Sequence, residues 1–464
     1  MPLSRVFRAA PLALVAVLGL ALPARAVTIE EVKSAKGITA WLVEDHSVPV
    51  VSMSAAFRGG AALDPEGKRG LANMTVDLLD EGAGNLDSTA YQSQLEDLAA
   101  QLNFSAGSDM ISLRLRTLKS NLAPSFDLLR LALTQPRFDP EPVARVRASI
   151  LDSIAREQRQ PNSLASRLWW KAAFPGHPYG LSSRGTAETV NAITPDDMRG
   201  LVHNRLGKDV LIVGVVGDIT PAELKPLLDS TFGALSDRAS PDTIPDKVAE
   251  TKSEVEVANM PIPQSVIVFG EPALKRDDPD WYVALLDLDI LGSGGLASRV
   301  TLEVREKRGL AYSVSASLDP LEHAGVILGQ AGSQNANAAQ AIDVIRDTWK
   351  RMHDEGPTAK ELADAKTYVT GSFPLSLDST GRIATILVSI QFDHLGLDYL
   401  AKRDQIINSV TLDDAKRVAK RILSPDKLLF TVVGQPENLK GAVRVTPAGG
   451  ILQGVAGNGL PAEH

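Results

Sequence analysis

The chain has 464 residues, a formal charge of −8, no cysteine, and 44% hydrophobic and 22% charged residues. That composition suits a soluble globular protein of two to four domains at about 100–200 residues each. The missing cysteines exclude disulfides, thiolate metal sites and cysteine nucleophiles, and an acidic chain without a basic stripe argues against nucleic-acid binding.

The N-terminus has the form of a secretory signal over residues 1–26. Arg5 and Arg8 supply a basic start, Leu12 to Leu22 an apolar run, and Ala24-Arg25-Ala26 a small-x-small cleavage pattern. Cleavage after Ala26 predicts a periplasmic or secreted mature chain with a charge near −11, because the leader carries Arg5, Arg8 and Arg25 and no acid. The apolar run falls short of the ~20 residues that cross a bilayer. The alternative is an uncleaved anchor helix. No later segment is apolar for long enough, so no membrane span is expected after cleavage.

A first domain is expected over residues 27–235. Ile38–Leu42 and Val50–Phe57 have the character of strands, and Ser88–Leu102 of an amphipathic helix with Tyr91, Leu95, Leu98 and Leu102 on one face. Thr89 and Gln92 have capping-box spacing at its start. Ile111, Leu113 and Leu115 alternate with Ser112, Arg114 and Arg116, the pattern of a half-exposed antiparallel strand. Asn121–Leu133 predicts another helix, ended before Pro136. Residues 236–255 are polar, contain Pro241 and Pro245, and suit a linker. In the second domain, residues 256–440, Ser265–Phe269, Ala311–Leu318 and Ala324–Gln330 are expected strands. Trp281–Leu291 and Ala336–Met352 are expected helices. Residues 441–464 are expected to form a flexible tail, Gly- and Ala-rich from Pro447.

Two segments repeat 217 residues apart. ITPDDMRGLVHNRLGKDVLIVGVVG begins at Ile193, and VTLDDAKRVAKRILSPDKLLFTVVG begins at Val410. In each, a threonine (Thr194, Thr411) precedes acids that suit a helix N-terminus. An apolar run then suits a strand buried on both faces. The ungapped register points to internal duplication. The expected fold is α+β, with two homologous domains, each an antiparallel or mixed sheet packed with helices.

The segment LGSGGLASRVTLEVREKRGLAYSVSA, from Leu291, resembles the second-domain signature of the pitrilysin-like (insulinase-like) zinc peptidases, with Arg305 and Tyr312 at Arg-x6-Tyr spacing. Arg58-Gly59-Gly60, Asp64-Pro65, Gly67 and Gly70-Leu71-Ala72 resemble the same family's approach to its metal helix. The resemblance covers about residues 28–440. It implies two domains facing each other as a clam shell. Active members bind zinc through His-x-x-Glu-His, whose two histidines share one helical face and whose glutamate serves as general base. Here Asn73 stands for the first histidine, Val76 for the glutamate and Asp77 for the second histidine. Ser153 stands at the distal ligand position. The family motif is therefore lost, and no cofactor is expected in this chain. A replacement cation site around Asn73, Asp77, Asp80 and Glu81 is a weaker alternative.

No two of the seven histidines lie three or four residues apart, so no helical histidine pair exists. His353-Asp354-Glu355 and Asp393-His394 suit solvated helix-end charges and polar loop residues. Ser424-x-x-Lys427 falls in a turn before a strand, and Gly292-Ser293-Gly294-Gly295 lacks the trailing residues of a phosphate loop. What the resemblance leaves is Arg305 and Tyr312. In the family this pair holds a substrate carbonyl and the developing oxyanion. Each also has a plainer reading, Arg305 as one more surface cation and Tyr312 as packing at a strand edge. The resemblance implies a non-catalytic subunit of a heterodimeric zinc peptidase. It would assist in trans a zinc-bearing paralogous subunit, which would carry the zinc, and would bind unfolded peptide. The alternative is a binding or scaffold protein with no part in hydrolysis.

Overall fold

Two six-stranded sheets frame the computed structural model, which describes residues 28–239 and 243–446. The signal over residues 1–26 and the tail beyond residue 446 lie outside the described residues. The first half contains β1 (Glu30–Lys33), β2 (Thr39–Glu44), β3 (Val50–Arg58), a small hairpin of β4 (Gly82–Ala83) and β5 (Leu86–Asp87), then β6 (Gln101–Ala106), β7 (Met110–Leu118) and β8 (Leu211–Gly217). The second contains β9 (Val255–Asn259), β10 (Gln264–Pro272), β11 (Ser313–Pro320), β12 (Gly325–Gln334), β13 (Leu429–Gly434) and β14 (Val443–Val445). The sheet orders are β1-β2-β8-β3-β7-β6 and, read from its other end, β14-β9-β13-β10-β12-β11. β8 runs parallel to β2 and antiparallel to β3, as β13 does to β9 and β10.

The repeated segments thus occupy matching places. Thr194 Oγ1 accepts from the Asp197 amide (3.3 Å) while Asp197 accepts from the Thr194 amide (2.7 Å). Thr411 and Asp414 repeat the exchange at 3.1 and 3.2 Å. Both strands end on glycines with positive φ. A Cβ on Gly217 would lie 2.1 Å from the Val50 carbonyl oxygen.

Period-2 alternation gives each sheet two apolar faces. On the first sheet, Val51, Met53, Ala55, Phe57, Ile111, Leu113 and Leu115 pack against that half's own helices, including Phe126, Leu129, Leu224 and Leu228. The opposite face, with Trp41, Val43, Ala56, Ile212 and Val216, is covered from the second half. Helix Thr380–Phe392 lays Ala384, Leu387, Val388 and Ile390 on it. The reciprocal holds: helix Pro161–Ala173 of the first half sets Leu164, Ala165, Leu168 and Trp169 against Val268, Val326, Leu429 and Val433 of the second sheet. Glycine makes these crossings close enough. A Cβ on Gly214 would lie 2.7 Å from the Ala384 carbonyl oxygen, and one on Gly270 2.7 Å from the Trp169 ring.

A polar junction joins the halves beside these helices. Arg58 pairs with Glu322 (3.1 Å), stacks over Phe392 (4.3 Å) and donates to the Phe392 carbonyl. Tyr179 donates to Asp109 (2.6 Å) and accepts from the His323 amide (3.2 Å). Asp393, at the end of helix Thr380–Phe392, pairs with Arg276 of its own half (3.4 Å), and the exposed His394 meets Arg58 across the junction (3.1 Å).

Four expectations need correction. The helix at Ser88 ends at Asp97, because Ala99 takes φ +48° and reverses the chain, which puts Leu102 on edge strand β6. Its cap is Asp87, accepting from the Ala90 amide (2.9 Å), and not Thr89. Within the flexible tail expected over 441–464, Val443–Val445 instead adds to the open edge of the second sheet, parallel to β9. In the linker segment Val255 already opens β9, and the Lys247 and Glu250 amides donate to the His323 and Ala173 carbonyls.

Candidate functional site

The degenerate metal helix spans Leu71–Val76 and follows Gly70 at φ 95°. Gly70 has no side chain to cap the helix. Asp64 does so from the preceding loop, accepting from the Gly70 (3.2 Å) and Ala72 (3.1 Å) amides. Asp64 is 3% exposed and is paired with Arg205 at 2.9 Å. Burial pushes its carboxyl upward, and Arg205 and the helix amide pull it back. The loop around Arg184 lies directly on the helix start: a Cβ on Gly185 would sit 2.0 Å from the Arg69 carbonyl oxygen.

Within this frame Asn73 and Val76 serve the protein's own bonding and packing. Asn73 Nδ2 donates to the Ser183 carbonyl (2.8 Å). Val76 is 2% exposed and belongs to the core. Asp77 caps the helix C-terminus, where the dipole disfavours an anion. Ser153, on helix Pro140–Glu157, accepts from Arg156 (2.7 Å). An engaged amide, a buried isopropyl group, one carboxylate and a hydroxyl do not fit zinc, which takes imidazole, thiolate and carboxylate donors in tetrahedral array. Among the described residues no group of three or more His, Asp or Glu is placed to hold a metal. A cavity of about 430 Å³ beside the helix is lined by Val76, Asp77, Asp80, Asn103, Arg145 and Ser149, among others. Burial, with Glu81 and Asp77 adding to it, pushes the Asp80 carboxyl up to about 6. Arg145 is committed to Glu81 at 2.6 Å.

The second-half signature has a different character. Helix Trp281–Leu288 runs into a π-helical turn, Asp289–Ser293, and a second π-helical turn spans Thr301–Glu306. Gly292 lets the first turn touch β11, since a Cβ there would lie 2.6 Å from the Ala316 carbonyl oxygen. Thr301 Oγ1 donates to the Val314 carbonyl (3.1 Å) and pins the second turn to the same strand. Arg305 projects from that turn, its side chain 45% exposed and paired with Glu306 at 3.4 Å. The neighbouring charges are spent on each other. Glu303 meets Lys307 (2.9 Å), Arg308 (2.5 Å) and Arg351 (3.3 Å), which hold its carboxyl at about 2. Tyr312 immediately precedes β11. Its amide donates to the Gly332 carbonyl (2.9 Å), and the residue, 58% exposed, accepts at its phenol oxygen from Gln334 Nε2 (3.2 Å). Leu296 and Leu302 of the same segment are exposed as well. The fold therefore keeps Asn73 and Val76 on one helix, Asp77 at its end, and Ser153 on another helix. It presents Arg305 and Tyr312 from the second half.

Residues outside any motif also shape the site. Gln334 is an unremarked polar residue at a strand end, and its pairing becomes visible only once β11 and β12 are in register. Asp287 did have a signal, as an acid within the apolar run Ala284–Leu291. It is 0% exposed, and neither carboxylate oxygen has a hydrogen-bond partner. Burial pushes it up to about 8 against the pull of Arg299. Between the halves, a cavity of about 410 Å³ is lined by Ser108, Trp170, Tyr179, Leu181, Arg184 and Asp319, among others.

Residues 40–187 match the family model described as Insulinase (Peptidase family M16), and residues 192–369 match that described as Peptidase M16 inactive domain. The chain belongs to peptidase family M16. Among relatives of this M16 chain, the Non-peptidase homolog YmxG of Helicobacter pylori is 25% identical over 423 residues, 90% of this chain and 96% of that one. The Uncharacterized zinc protease SCO5738 of Streptomyces coelicolor is 26% identical over 364 residues, 76% of this chain and 78% of that one. The crystal structure of a peptidase M16 inactive domain from Pseudomonas fluorescens superposes with a TM-score of 0.83 at 25% identity, covering 90% of this chain and all of that one. The M16 fold, with its two halves matched in turn by the family's two models, is thus the architecture described above.

Proposed function

We propose that this chain is a non-catalytic M16 subunit that assists a zinc-bearing paralogue in a periplasmic or secreted peptidase. The observation that carries the reading is a contrast within one molecule. Asn73 is engaged in internal bonding, Val76 is buried in the core and Asp77 is left as an exposed carboxylate, whereas Arg305 and Tyr312 stand exposed on a segment braced against the second sheet. A relative of similar length is named a non-peptidase homolog, in keeping with a chain that does not hydrolyse peptides unaided. In this reading the Tyr312 hydroxyl donates to the oxyanion of the tetrahedral intermediate formed in the partner's site, and Arg305 holds a substrate carbonyl. Unfolded peptide is the substrate class. The inter-half cavity, with its Trp170 and Tyr179 wall and polar rim, offers room for a peptide side chain.

The test is reconstitution with the zinc-bearing paralogue. The chain alone should bind no stoichiometric zinc and cut no peptide. Adding it should raise the paralogue's rate, and Tyr312→Phe should lower that gain by about 10²–10³, the usual cost of one oxyanion donor. A paralogue equally active alone would refute the reading. The alternative, a peptidase-fold binding or scaffold protein, draws on the exposed Leu296 and Leu302 beside Arg305. It is favoured if Tyr312→Phe leaves every function intact.

A further inference from the structure

Gln334 touches no motif, yet it makes the side-chain hydrogen bond the structure gives the Tyr312 phenol, donating through Nε2 to the phenol oxygen at 3.2 Å. A phenol O–H lies near the ring plane because its oxygen conjugates with the ring. The proton therefore has two in-plane directions. A donor on one side fills an oxygen lone pair there and turns the proton to the other side, where it can be given away. An amide donor also favours negative charge on the phenol oxygen, which strengthens the O–H as a donor.

Gln334 is itself exposed, and its backbone is held from both neighbours. Ser333, fully buried, donates from Oγ to the Leu310 carbonyl (2.6 Å), tying β12 to the residue two before Tyr312. Asn335 accepts at Oδ1 from Ser265 (2.7 Å) and the Gln435 amide (3.3 Å) and donates from Nδ2 to the Ile262 carbonyl (2.8 Å). The Glu437 amide donates to the Asn335 carbonyl (3.0 Å). The Tyr312 amide is itself fixed to the Gly332 carbonyl. Both backbone positions are thus set before any substrate arrives, as oxyanion donors require.

We infer that Gln334 is a positioning residue that aims the Tyr312 hydroxyl proton away from β12, toward a bound anionic oxygen. This rests on the role proposed above for Tyr312, and the experiment separates the two. In the reconstituted pair, Gln334→Leu should lower kcat by about three- to tenfold, the worth of one neutral hydrogen bond, with KM little changed. Gln334→Glu should cost more, because a carboxylate accepts the phenol proton and turns it inward. In a Tyr312→Phe background neither substitution should matter further. If Tyr312→Phe depresses the rate and Gln334→Leu or Gln334→Glu does not, the positioning role is overturned while the reading of Tyr312 stands. If Tyr312→Phe has no effect, both fall. A measurement on the lone full-length chain needs no activity. With 3-fluorotyrosine incorporated, the 19F resonance that disappears in Tyr312→Phe should shift and narrow in Gln334→Leu as the ring gains freedom. An unmoved resonance overturns the inference.

Discussion

Asp64→Ala would strand Arg205, which is buried with it, and leave the first amides of helix Leu71–Val76 without an acceptor. Breaking a buried pair by removing one partner costs about 3–5 kcal/mol, so urea denaturation should show a loss of that order. Asp287 acts in the opposite sense. Its carboxyl holds a proton up to about pH 8 in the folded chain, against an ordinary value of 3.8. The folded state therefore binds this proton more tightly than the unfolded state. Stability should fall as pH rises from about 4 to about 8 and level off above, by about 1.4 kcal/mol at most for each pH unit crossed. Glu271, also raised to about 8 by burial, adds a slope of the same sign. Asp287→Asn should flatten the difference between unfolding midpoints at pH 5 and pH 8, and an unchanged difference would count against this account. At this scale the loss of the metal donors was legible, because Asn73, Val76 and Asp77 are of the wrong chemical type wherever they point. The cap supplied by Asp64 was not legible, since it depends on a loop folding back six to eight residues and on Arg205 arriving from much later in the chain.

Helix Pro161–Ala173 belongs in sequence to the first half and in packing to the second. Trp169→Ala should cost about 3–5 kcal/mol, and the faster amide exchange should appear in β10 and β13, not in the first sheet. Exchange changes confined to the first half would contradict the assignment. Gly214→Val tests the reciprocal crossing, where the added side chain has nowhere to go against Ala384 and Leu387. A loss of at least about 1–3 kcal/mol is expected from such overpacking. Strands with clean alternation, such as Val50–Arg58 and Met110–Leu118, and helices with a threonine cap were readable from local pattern. The end of the Ser88 helix was misjudged because Leu102 fits both a 3.6-residue stripe and the inward position of a strand. Only Ala99 in a left-handed conformation decides between them. The two π-helical turns likewise had no signature beyond the glycines, because their wider winding answers to contacts with β11 that no local window contains.

Duplication was visible in the 217-residue register, whereas the strand orders of the two sheets were not. The exchange of helices across the halves was not visible, because an amphipathic helix states that it will bury a face and is silent about whose sheet receives it. Expressed alone, either half should therefore be insoluble or bind hydrophobic dyes, with Trp41, Ile212 and Val216, or Val268, Leu429 and Val433, bared to water. A well-folded, monomeric first half would argue against this. The same exchange dictates a timetable. A chain emerging N-terminus first completes β8 at Gly217, yet the helix that must seal the back of that sheet begins only at Thr380. For more than a hundred and fifty residues of synthesis the early half waits, its layer unfinished, so maturation is expected as a single late event instead of two successive ones.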